Sequence, residues 1–67
     1  MTLSARQRQI VELTSLGHTE REIAAILRIA LSTVKNHKQA IFHKLGARNS
    51  MEMVKIARGV EIPDLIA

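Results

Sequence analysis

Cysteine, tryptophan and tyrosine are absent from these 67 residues, and the aromatic content is Phe42 alone. Without cysteine there is no disulfide scaffold and no thiolate zinc site, and the usage fits a reducing compartment. A core without aromatics must be built from Ile, Leu, Val, Ala and Met. Such a core suits a helical bundle better than a sheet, which favours β-branched and aromatic residues. Long apolar runs are missing too: Arg21 and Arg28 bracket the best candidate, so no stretch approaches the roughly 18 residues of a membrane span. The N-terminus has no apolar signal-peptide core. The expectation is a cytoplasmic protein with no membrane partner. A chain this short buries only about 60% of its unfolded surface, which makes one domain, 1–67, and leaves no room for a cleft between lobes.

Charge of one sign is missing from part of the chain. The net charge is +4, yet all six acids (Glu12, Glu20, Glu22, Glu52, Glu61 and Asp64) fall outside the segment from Arg28 to Arg48. That segment holds Arg28, Lys35, Lys38, Lys44 and Arg48, with His37 and His43 beside them. A one-signed segment in a mixed-sign protein points to a polyanionic partner, although a solvated helix face has the same composition.

Capping chemistry and periodicity mark four helices. Ser4 and Gln7 have capping-box spacing, opening a helix over about 5–16 that carries Ile10, Val11, Leu13 and Leu16 and ends at Gly17. Thr19 and Glu22 repeat the box for a helix over 20–27, whose inward face is Ile23, Ala24, Ile26 and Leu27. A third helix spans 31–45 and closes at Gly46. Asn49 and Glu52 predict a third box and a helix over 50–58, followed by a tail, 59–67, whose Val60, Ile62, Leu65 and Ile66 would pack back on the bundle or meet a partner. The fold class is all-α: a four-helix bundle containing a helix-turn-helix.

The helix-turn-helix lies in the second and third helices, which only about three residues separate. Ala24, position 28 and Val34 have the spacing at which a small residue allows close approach, the middle residue takes the turn, and Val seals one helix to the other. Arg28 stands where glycine is usual. A left-handed arginine there costs roughly 1–2 kcal/mol relative to glycine; otherwise the turn tolerates it, with the guanidinium reaching a phosphate. Rotating the third helix at about 100° per residue from Val34 puts Ile41 and Leu45 within about 20° of it, flanked by Leu31 and Phe42. Between about 100° and 200° lie Lys35, Gln39, Ser32, His43 and Asn36, all polar and none acidic.

Those residue types match the edges of bases. Asn36 and Gln39 can pair bidentately with adenine, and Lys35 can donate to guanine O6 and N7. Ser32 and Thr33, near the free N–H groups of the helix start, suit phosphates, and Arg28, Lys38, His43 and Lys44 complete the candidate phosphate set. Catalysis and metal binding find little support. The acids are scattered, and no nucleophile–His–acid arrangement or Gly-rich phosphate loop is evident. His37 and His43 are about 120° apart on a helix, which does not suit one shared ion. No enzyme activity, metal or cofactor is expected.

The ordered pieces Leu3-Ser4, Gly17, Glu22-Ile23-Ala24 with Leu27, Ile29, Thr33-Val34-Lys35 with His37, Ile41, Lys44-Leu45-Gly46, and Arg48 with Glu52 resemble the LuxR/FixJ-type (GerE-type) helix-turn-helix of bacterial transcription regulators. The resemblance spans residues 3 to about 58. It implies that Lys35, Asn36 and Gln39 contact bases and that Thr33 holds a phosphate. It also implies pairing through the fourth helix into a homodimer reading two half-sites, with Met51 and Lys55 as candidate interface residues. Three positions depart from the pattern: Gln7 replaces a usual Glu, Arg28 a frequent Gly, and Ala30 a capping Ser or Thr. The rival expectation is a basic helical module that contacts an acidic protein, for example RNA polymerase, with little sequence readout.

Overall fold

The computed structural model describes residues 3–59, and the predicted tail lies outside them apart from Gly59. Four α-helices follow one another: α1 (Ala5–Ser15), α2 (Glu20–Leu27), α3 (Leu31–Leu45) and α4 (Ser50–Ala57), with no strand among the described residues. Each helix starts and stops for a local chemical reason. Ser4 Oγ accepts from Gln7 N at 3.1 Å while Gln7 Oε1 accepts from Ser4 N at 2.9 Å, so two orphan donors of the first turn are satisfied together. Thr19 and Glu22 repeat the arrangement at 3.1 and 2.9 Å.

The third predicted box forms only in half. Asn49 Oδ1 accepts from Glu52 N at 2.9 Å, but the Glu52 carboxylate turns one residue further back, to Arg48. It accepts from Arg48 N at 3.0 Å and from the guanidinium at 2.6 and 3.0 Å. Two charge-assisted bonds from the guanidinium, each roughly twice as strong as a neutral one, outcompete the single backbone amide of Asn49 for the same carboxylate. α3 follows Ala30 as its N-cap with no side-chain cap bond, as the missing hydroxyl at that position requires.

α1 stops a residue earlier than expected, and Gly17, at φ 94°, follows it. The amides of Gly17 and His18 return to the carbonyls of Thr14 and Leu13 at 3.0 and 3.1 Å, the paired bonds of a Schellman ending. The same pair of bonds ends α2, with Arg28 in the glycine's role. Arg28 N and Ile29 N donate to Ala25 O and Ala24 O at 3.3 and 3.0 Å, and Arg28 adopts φ 57°, ψ 47°. Among the described residues it is the one non-glycine residue at positive φ. The turn is therefore left-handed, and arginine bears the steric cost of its Cβ there.

The core consists of Ile10, Val11, Ile23, Ala24, Val34, Ile41 and Met53, one or two from each helix. Full burial of a side chain such as Ile10, Ile23 or Ile41 contributes about 1.5–3 kcal/mol. Ala24 and Val34 are both buried, which lets α2 pack against α3 as the helix-turn-helix spacing predicts. Two predicted core residues lie outside: Leu16 is 66% and Ile26 49% exposed. Leu16 falls beyond the last turn of α1, and Ile26 sits about 110° from the centre of the Ile23–Leu27–Ala24 arc that α2 turns inward. In a short helix, periodicity alone draws the apolar stripe too wide.

Candidate nucleic-acid interface

Val34 and Ile41 anchor one side of α3 in the core, and that anchoring turns the other side outward. Ser32, Lys35, Asn36, Gln39, Ala40 and His43 are all exposed. They recur at i, i+3, i+4, i+7, i+8 and i+11, the spacing of one continuous helix face. No carboxylate lies on α3 at all. His43 and Lys44 occupy the last turn, where a positive charge complements the carbonyl end of the helix dipole. The sequence reading of the face therefore agrees with its exposure, with Ala40 as the member that polarity did not reveal. Its signal was positional: at about 240° from Val34 it borders Asn36.

The other proposed phosphate residues divide. Arg28 is exposed at the turn that feeds α3, and Thr33 is half-buried in its first turn. Lys44 is exposed on average, and its Nζ lies 3.2 Å from Gln7 Oε1. At this first departure from the pattern the contact is a hydrogen bond to a neutral amide oxygen, where a Glu would make it an ion pair.

Lys38 is placed otherwise than expected. Its side chain is only 11% exposed, and Nζ donates to Ser50 Oγ at 2.8 Å. The ammonium also lies 3.6 Å from Glu20 Oε2 and 5.8 Å from the centre of the Phe42 ring. At about 40° from Val34 it falls between Leu45 and Leu31 on the wheel, inside the apolar stripe. It is a lysine that ties α3 to α2 and α4, so it leaves the candidate phosphate set.

Two carboxylates outside the face are held ionised. The Thr19 backbone amide, with His18 adding to it, holds Glu22 below the usual carboxylate range. The Arg48 guanidinium does the same for Glu52. Both serve helix starts. Among the described residues no group of three or more His, Cys, Asp or Glu side chains could hold a metal ion. No helix of the described residues is long and apolar enough to cross a membrane. On α4, Met51 is 69% exposed and belongs to no part of the core, while Lys55 is half-buried; Met53 is the methionine that packs inside.

Comparison with known proteins agrees with this architecture. The family described as "Bacterial regulatory proteins, luxR family" matches residues 1–57. The chain is 41% identical over 63 residues to the transcriptional activator protein EsaR of Pantoea stewartii subsp. stewartii, covering 94% of this chain and 24% of that protein. It is 38% identical over 58 residues to the HTH-type transcriptional activator RamA of Corynebacterium glutamicum, covering 87% of this chain and 21% of that one. The transcriptional activator protein ExpR of Dickeya dadantii is 41% identical over 59 residues, covering 88% of this chain and 23% of its own length. The chain thus spans about a quarter of the length of these relatives. No solved structure matches it with significance.

Proposed function

The chain belongs to the LuxR family of bacterial regulatory proteins, and from that premise we propose that it binds duplex DNA in transcription regulation by laying α3 in the major groove. The observation that carries this reading is the exposed, acid-free face of α3, backed by the buried core and preceded by a tight turn. Lys35, Asn36 and Gln39 read base edges: lysine donates to guanine, and the two amides pair with adenine. Ser32, Thr33, Arg28, His43 and Lys44 hold phosphates and set the register without reading sequence. No enzymatic step is part of this function.

Dimerisation through α4 belongs to the same proposal. Met51 is a large apolar side chain left in solvent, and Lys55 stands one helical turn further on, on the same side. A two-fold pair built there would present two copies of α3 to two half-sites.

Duplex affinity measured across a salt series, for wild type and Lys35→Ala together, tests the proposal. Wild-type log K should fall steeply with log salt as phosphates are neutralised. Lys35→Ala should cost about 1–3 kcal/mol on the preferred sequence. Absence of duplex binding even at low salt would overturn the reading and favour a basic module for an acidic protein partner.

A further inference from the structure

Ala40 is the one apolar member of the exposed face of α3, and the readers already named leave it without a role. It follows Gln39 directly, lies one turn after Asn36 and precedes His43 by three residues, so polar side chains border it along the helix. A methyl group on a face otherwise made of hydrogen-bonding groups has nothing to offer a donor or an acceptor. The major groove presents one apolar feature of matching size, the C5-methyl of thymine, and alanine is among the residues that contact it. The shortness of Ala40 also matters, because a longer side chain there would hold the helix away from the base edges that Asn36 and Gln39 must reach. Asn36 and Ala40 are separated by about 6 Å along the helix, roughly two base-pair steps of the duplex.

We propose that Ala40 is a further specificity-determining residue, whose methyl group packs against a thymine C5-methyl within about two base pairs of the base read by Asn36. The proposal rests on α3 being the helix that enters the groove. It adds a base preference that Lys35, Asn36 and Gln39 do not supply. The preferred site then carries a thymine whose recognition depends on one methyl group and on no hydrogen bond.

The test uses the full chain and duplexes selected from a randomised pool for tight binding. Each thymine of the preferred duplex is replaced in turn by deoxyuridine, which removes the C5-methyl and leaves every hydrogen-bonding group in place. Wild type should lose about four-fold in affinity at one thymine of the recognised site, the size expected for one buried methyl. Ala40→Gly should show no loss at that position. Each protein is compared with itself on the two duplexes, so any weakening of the helix by glycine cancels. Ala40→Ser, which keeps a side chain of similar size but turns it polar, should lose the thymine term as well and serves if the glycine variant does not fold. A preferred duplex with no deoxyuridine-sensitive position, or with a sensitivity that both variants retain, overturns the role of Ala40 and leaves groove binding by α3 standing. Failure of the selection to yield any preferred duplex overturns both.

Discussion

Arg28 should hold back the stability of this domain while helping it bind. Its backbone sits at φ 57°, ψ 47°, where a residue with a Cβ pays about 1–2 kcal/mol that glycine does not. Arg28→Gly removes that strain but gives the unfolded chain more freedom, which takes back about 0.4–1 kcal/mol. The difference leaves a net gain centred on about 0.8 kcal/mol. In a domain of this size, 1 kcal/mol moves Tm by about 4–8 °C, so Arg28→Gly should melt roughly 3–6 °C higher. Arg28→Ala is the control: it removes the same guanidinium but keeps the Cβ, and its Tm should stay near wild type. Thermal unfolding followed by far-UV circular dichroism reads both. Binding should respond differently, because either variant removes one phosphate partner. Both should weaken duplex affinity about equally for all sequences and reduce the salt slope by about one. A glycine variant no more stable than the alanine variant would refute the strain argument. An unchanged salt slope in both would remove Arg28 from the phosphate set.

Three further outcomes follow from the helix starts and the interior lysine. Ala30→Ser supplies α3 with the side-chain cap it lacks and should stabilise the domain by about 1 kcal/mol in chemical denaturation. Ser50→Ala leaves the nearly buried Lys38 ammonium without its hydroxyl partner and should cost about 1–2 kcal/mol, with little effect on sequence preference. Glu52 titrates below the usual carboxylate range because Arg48 bonds its charged form. Its contribution is therefore present above the unfolded carboxylate pKa and is lost as pH falls through the lower folded value. Wild type should lose stability over that acid range more steeply than Glu52→Gln, as urea unfolding at several pH values would register.

The helix-turn-helix could be read from residues because its determinants are local. Capping boxes at Ser4 and Thr19 and the glycine after α1 depend on neighbours within a turn or two, and Ala24 and Val34 meet across a single short turn. The α3 face was legible for the same reason, since a 15-residue helix with an apolar edge leaves its polar edge outside. What escaped depends on contacts distant in sequence or on competition between partners. Lys38 reads as a surface cation by its charge, and only the approach of Ser50 from α4 and Glu20 from α2 shows it as a tie between helices. Glu52 matches a capping box by spacing, but Arg48 takes its carboxylate. Arg28 left two conformations open, and the paired bonds back to Ala24 and Ala25 select the left-handed one. Ala40 has no polarity to mark it, so only its wheel position beside Asn36 hinted at the membership of the face that its exposure establishes.

The most direct test of groove reading is the Asn36→Ala, Gln39→Ala double variant, measured against wild type on the preferred duplex and on a scrambled duplex across a salt series. If α3 reads bases through these two amides, the double variant loses most of the preference between the duplexes and keeps only the part that Lys35 and Ala40 supply. It keeps a steep salt dependence on each, because its phosphate contacts are intact. If it retains the wild-type preference for one duplex over the other, base reading does not reside on this face of α3, and the central claim is contradicted.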